Sequence, residues 1–314
     1  MTAERVPPPQ GHKRARAEAP SPVLAESAMD RGLLTCPGTR DAQDAQGEDF
    51  LLTLWTDDPV LARAADRAGI DRIGVDIETR GKHERQAGLG TWISPHRTAC
   101  LPEIRSALTK AQVFARVNPL SDDTPQEVES LLELGVAVLM LPMFRSAEEV
   151  ARFVAIVDGR ATVVPLLETV GASEDIASLT ALAGIEEIHV GVNDLALELG
   201  MRNRFEILDC ELIEHLSATV RAAGLRLGIG GIGRVDDASL PIPSDLVYAQ
   251  YPRLGATAAL LSRVFTDPRA EARELSVEVN RTRTRLARWF AASHSELQAA
   301  RRAFRATLER CPDW

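Results

Sequence analysis

Between residues 49 and 266 the chain alternates short apolar, often β-branched runs with longer amphipathic stretches. The runs fall at 50–55, 72–78, 112–118, 137–143, 162–168, 187–192, 226–231 and 246–251. Between them, 58–68, 124–134, 146–157, 173–183 and 211–223 repeat apolar residues at i, i+3, i+4 and i+7, the period of a helix with one buried face. The punctuation agrees. Asp58 precedes Pro59, Thr124 precedes Pro125 and Ser146 stands three residues before Glu149, all good helix starts. Gly69, Gly135, Gly159, Gly184 and Gly224 stand where helices should close. Apolar strands separated by helices predict parallel β-α-β units covered on both faces. An open sheet is usually complete with about five or six strands, whereas eight is the number that closes a barrel. The pattern therefore predicts an α/β protein with a (β/α)8 TIM barrel over 49–266.

The flanks read differently. Residues 1–48 hold Pro7-Pro8-Pro9, a basic cluster (His12, Lys13, Arg14, Arg16) and many small polar residues. Such a segment cannot bury enough apolar surface to offset its ordering entropy, which predicts a disordered N-terminal tail. Residues 267–314 are Arg-rich and helical in period at 270–290 and 295–308, with Leu275, Val279, Leu286 and Phe290 along one face. They predict a C-terminal helical extension that docks on its own barrel or on a partner subunit. A homo-oligomer using this surface is the expectation.

Composition narrows the function classes. Of 314 residues, 45% are hydrophobic and 26% charged, ordinary for a globular chain with a full core. Lys and Arg number 36 against 45 Asp and Glu, a net charge of −9. An acidic chain argues against a nucleic-acid partner, which needs a basic footprint. No apolar run approaches the roughly 20 residues of a membrane span, so no membrane partner is expected. Cys36, Cys100, Cys210 and Cys311 stand apart, without a CxxC pair or Cys/His cluster, which argues against a zinc site or disulfide scaffold. With no secretory leader pattern, a cytoplasmic protein is expected.

In a barrel the chemistry sits where strands end. Those ends carry Asp76 and Glu78 on the second strand, Arg116 on the third, Pro142 on the fourth, Glu168 on the fifth and Asp194 just past the sixth. Glu168 and Asp194, on neighbouring strands, fall within reach of one divalent cation such as Mg²⁺ or Mn²⁺, with Co²⁺ a further candidate. An Arg nearby can grip a carboxylate or steady an enolate. Gly228-Ile229-Gly230-Gly231-Ile232-Gly233-Arg234 formally fits GxGxxG, but no clear helix pattern follows. It reads equally as a tight turn or as an anion-binding loop with Arg234, helped by Arg253 after the last strand. His189, inside the sixth strand, reads as a packing residue.

Four segments carry a resemblance: Ala115–Pro119 (ARVNP), Gly135–Met143 (GVAVLMLPM), Pro165–Thr169 (PLLET) and Gly184–Gly200 (GIEEIHVGVNDLALELG). In order and spacing they resemble successive motifs of the HpcH/HpaI aldolase and citrate lyase β-subunit family. The resemblance implies a metal-dependent TIM barrel that makes or breaks a carbon–carbon bond beside a pyruvate-like enolate. It implies Arg116 as the active-site arginine and Glu168 and Asp194 as metal ligands. It also implies that amides around Gly191, Val192 and Asn193 receive the carboxylate of a 2-oxo acid. The aldolase branch usually has a His directly after the strand-2 Glu as acid/base, whereas here Glu78 is followed by Thr79. Glu78, His83 and His96 are the candidates for that role. The strand-2 acidic pair also fits the citrate-lyase branch, which leaves an acyl-CoA lyase or thioester hydrolase as the alternative, and a non-catalytic ligand-binding barrel as a third.

Overall fold

Eight parallel strands pair in chain order and close on themselves: β1 (Leu51–Trp55), β2 (Arg72–Asp76), β3 (Gln112–Arg116), β4 (Val138–Leu141), β5 (Thr162–Leu167), β6 (Glu187–Val190), β7 (Arg226–Ile232) and β8 (Ala258–Leu261), with β8 returning to β1. The computed structural model describes residues 49–81, 97–237, 241–262, 265–266 and 272–311. The predicted tail over 1–48, and the segment carrying His83 and His96, lie outside the described residues. The helices are α1 (Pro59–Ala68), α2 (Leu101–Ala107), α3 (Thr124–Glu133), α4 (Ala147–Val157), α5 (Val170–Glu174), α6 (Ile176–Thr180), α7 (Val192–Glu198), α8 (Glu211–Ala222), α9 (Ser244–Tyr248), α10 (Gln250–Leu254), α11 (Ala272–Phe290) and α12 (His294–Arg310). Several start as the sequence predicts. Asp58 accepts the Val60 amide at 2.8 Å, and Gly69 closes α1 in the left-handed region at φ 92°.

Strand alternation divides the core in two. Outward residues such as Leu52, Ile73, Val113, Leu139, Ile188 and Ile229 pack under the helices. Inward residues Phe114, Val138, Met140, Val164 and Leu166 fill the bore, with Trp55 and Leu260 against them. The bore is narrow, so bulk on one strand requires its absence on the next. A Cβ on Gly74 would lie 2.5 Å from the Trp55 ring, and one on Gly228 would lie 2.2 Å from His189 Nε2. Part of the glycine run of β7 is thus explained by packing. Gly228 makes room for His189, and Gly231, at φ 97°, sits where the β7–β8 register shifts.

The eighth strand is not where the pattern put it. Residues 246–251 are helical, in α9 and α10, and the strand is Ala258–Leu261. Val247, Tyr248, Tyr251 and Leu254 are all buried at helical spacing. The strand, Ala258-Ala259-Leu260-Leu261, holds no β-branched or aromatic residue, so a β-propensity reading passes over it. Arg253 consequently lies on the helix leading into β8, bonded to Gln250, Glu214 and the Leu208 carbonyl, rather than at a strand's far end.

The Arg-rich extension docks on its own barrel through a buried apolar face, with charge pairs along the contact. Arg283 donates to the Phe50 carbonyl at 3.0 Å and to Asp71 at 2.8 Å. Asp245 accepts from Arg285 and from Trp289 Nε1, the latter at 2.8 Å. Arg301 and Arg305 share Asp209. Among the described residues no helix is long and apolar enough to cross a membrane. Gly228→Ala should lower stability by about 1–3 kcal/mol through overpacking against His189, read as a lower urea midpoint. An unchanged midpoint would mean that the His189 ring does not occupy that space.

Candidate active site

The inward residues at the strand ends converge. Asp76 ends β2 and Arg116 ends β3 in direct register. Arg116 donates through Nε to Asp76 Oδ1 at 2.9 Å and through Nη2 to Asp76 Oδ2 at 2.7 Å, a two-bond fork that fixes the guanidinium plane. Its Nε lies 3.4 Å from Glu78 Oε2, and its Cζ lies 5.5 Å from the Trp55 ring centre. Burial alone would push Arg116 down, but Asp76, Glu78 and Glu168 hold it above the ordinary guanidinium value. It stays a fixed cation. Its side chain keeps 17% exposure, enough to face a ligand at the mouth.

Glu168 follows β5 and is 3% exposed. Met143, in the left-handed region at φ 56°, aims its amide at Glu168 Oε1, 3.1 Å away. Burial, then the nearby Asp194 carboxylate, push Glu168 up to about 8, against the pull of Arg116. Two acids held together at such a cost need a proton or a cation between them. Among the described residues no group of three or more His, Cys, Asp or Glu could hold a metal ion. Glu168 and Asp194 would therefore supply two donors, leaving the remaining positions to water and substrate oxygens. That division suits a hard divalent ion that keeps part of its water, so the residues fit.

The predicted residues separate as follows. Arg116, Glu78, Glu168 and Asp194 come together, each within electrostatic reach of Glu168. Gly191 borders them for a reason other than the one expected. Its amide is bonded to the Leu167 carbonyl at 2.9 Å, and a Cβ there would meet Glu168 Cβ and Oε2 at 2.7 Å. Val192 and Asn193 begin α7, in whose first turn Asp194 stands. Arg234 turns to the C-terminal extension: its Nε donates to the Phe265 carbonyl at 3.1 Å, and it lines a pocket with Glu274, Val277 and Glu278. Thr79, in place of the family's His, donates its amide to Asn118 Oδ1 at 2.9 Å, while Asn118 Nδ2 is held by Glu127 at 2.8 Å.

Sequence reading did not foresee Asp76 as the partner of Arg116, Trp55 as its aromatic cover, or the Met143 amide on Glu168. The first two carry a signal, since both stand in inward phase at strand ends. Nothing in Leu141-Pro142-Met143 announces a left-handed residue.

Comparison with known proteins bears on the family and the fold. The family model for HpcH/HpaI aldolase/citrate lyase matches residues 52–230, more than half of the chain. A 4-hydroxy-4-methyl-2-oxoglutarate aldolase of Chaetomium globosum is 31% identical over 85 residues, which is 26% of this chain and 32% of that protein; the match thus spans about a third of the relative's length. An HpcH/HpaI aldolase from Desulfitobacterium hafniense superposes with a TM-score of 0.53 at 18% identity, covering 71% of this chain and 89% of that one. A family protein from Burkholderia cenocepacia gives 0.54 at 17%, covering 80% and 99%. At those identities the likeness is one of fold. Barrel, convergent strand ends and family match together make this chain a member of the HpcH/HpaI aldolase/citrate lyase family.

Proposed function

We propose that the protein is a divalent-metal-dependent aldolase that makes or breaks a carbon–carbon bond beside a 2-oxo acid enolate. The observation carrying this is the buried Glu168 carboxyl with the half-buried Asp194 carboxylate near it, set against one fixed cation, Arg116. Glu168 and Asp194 would hold Mg²⁺, Mn²⁺ or Co²⁺. Such an ion supplies Lewis acidity at the ketone and carboxylate oxygens of the substrate. Arg116, held in one orientation by Asp76 and covered by Trp55, carries its charge to the oxygen where negative charge develops, at no cost of reorganisation. Glu78, 2% exposed beside Arg116, is the described carboxylate we assign to moving the proton at the carbon next to the carbonyl. The first-turn amides of α7 at Val192 and Asn193 would receive the substrate carboxylate.

A free acid fits better than a CoA thioester. In the glycine run that would bind the nucleotide phosphates, Gly228 is accounted for by the His189 ring and Gly231 by its positive φ at the β7 register shift. Arg234 faces Glu274 and Glu278, an unsuitable setting for an anion.

Proton exchange at the pyruvate methyl, followed by NMR in deuterated buffer, should be metal-stimulated in the intact protein. Glu168→Gln should abolish the stimulation, and Asp76→Asn should lower kcat by about 10²-fold through loss of the Arg116 fork. Exchange unaffected by Glu168→Gln would end this reading. Glu78→Gln should stop exchange while leaving metal affinity close to wild type; continued exchange would move the base to His83 or His96.

The raised Glu168 value gives a pH test. Between its ordinary 4.5 and about 8 the folded metal-free protein holds a proton that the unfolded chain releases. Stability from this group therefore falls as pH rises through that window, and the cost is fully present above it. The ion must displace the same proton, so metal affinity rises over the same window. Calorimetric titration with Mn²⁺ should give clearly tighter binding at about pH 9 than at about pH 6, and Glu168→Gln should bind weakly at both. Equal wild-type affinities would contradict the assignment.

A further inference from the structure

We propose that Arg72, Glu187 and His189 form a charged strut across the bore that sets the gap between the two halves of the active site. In the closed strand order, β2 and β6 stand opposite each other, four strands apart either way. β2 begins at Arg72 and ends at Asp76, next to Glu78, while β6 begins at Glu187 and runs on to Gly191 and Asp194. Arg72 Nη1 crosses the bore to donate to Glu187 Oε1 at 2.8 Å, with side chains 6% and 4% exposed. His189 Nε2 bonds the same oxygen, and its ring fills the space left by Gly228. The Arg72 guanidinium lies over the Phe114 ring at 5.8 Å.

Stability alone does not account for this layer. On β4 and β5 the bore is filled instead by Val138, Met140, Val164 and Leu166. A buried ion pair generally stabilises no better than well-packed apolar residues of its size. Arg72 Nε and His189 Nδ1 are moreover buried without a hydrogen-bond partner, a cost that an apolar layer would avoid. What the pair does, and packing does not, is tether two opposite strands at a set length and direction. Burial would raise Glu187, but His189 and Arg72 bring it well below the usual carboxylate range, so the tether stays charged. The strands it joins carry the Asp76–Glu78 side of the site and the loop that presents Asp194. Arg72, Glu187 and His189 are positioning residues. That the gap is a catalytic one rests on the reaction proposed above; that the strut sets it does not.

The test separates stability from positioning. Arg72→Met alone and Glu187→Gln alone leave an uncompensated buried charge or a broken bond, and both should melt well below wild type. The Arg72→Met/Glu187→Gln pair keeps a bond to His189 in a neutral layer and should recover most of the melting temperature. In the pair, amides of residues 187–195 should nonetheless exchange with deuterium about tenfold faster than in wild type, and kcat for pyruvate proton exchange should fall about tenfold with a smaller change in KM. Recovery of slow exchange and kcat together with stability would overturn the strut. If the pair fails to fold, Arg72→Lys decides the matter. It keeps a charge reaching towards Glu187 and should exchange more slowly over 187–195 than Arg72→Met, and equal rates would overturn the proposal. Wild-type protein without metal-stimulated exchange would sink the aldolase reading alone, and the deuterium measurement would still judge the strut.

Discussion

A closed barrel of eight parallel strands has one bore, and alternate residues of every strand must share it. Most features of this protein follow from that limit. Trp55 lies where Gly74 has no side chain, His189 where Gly228 has none, and Glu168 where Gly191 has none. Each of these three groups is matched to a glycine on the neighbouring strand or just past its end. The residues with chemistry are therefore placed by an exchange of volume between strands before any hydrogen bond orients them.

Charge is then organised by burial. Three carboxylates, Asp76, Glu78 and Glu168, gather near one guanidinium at or past the strand ends, and Asp194 adds its charge to Glu168 from the first turn of α7. Arg116 is committed to Asp76 by two bonds. Glu168 is left with burial and two like charges, Asp194 and Glu78, offset by one backbone amide and the field of Arg116. An arrangement with this excess of negative charge favours a proton on Glu168, as its raised value shows. Deeper in the bore the balance is different: Glu187 has two partners and is held ionised. Similar groups in one cavity thus have opposite tendencies, set by their partners.

The Arg-rich extension is legible once acidic groups elsewhere are considered. Asp71, Asp209 and Asp245, far apart in sequence, each receive arginines from α11 or α12. Exposed pairs of this kind contribute little singly; the buried apolar residues Val279, Leu286, Phe290 and Phe304 supply the main attachment, and the arginines set where it forms. The sequence marks the helices as amphipathic but says nothing of the surface they meet.

Seven of the eight strands, the barrel they form and the convergence of Arg116, Glu168 and Asp194 were determined by local pattern: runs of apolar residues, helix caps and the rule that reactive groups stand at strand ends. Those signals depend on neighbours in the chain, so they can be read along it. The eighth strand, the fork from Asp76, the left-handed Met143 and the ion pair between Arg72 and Glu187 were decided only in three dimensions. Arg72 and Glu187 are 115 residues apart, and no periodicity links them. They meet because barrel closure brings opposite strands to face each other across a space too narrow for two unpaired charges.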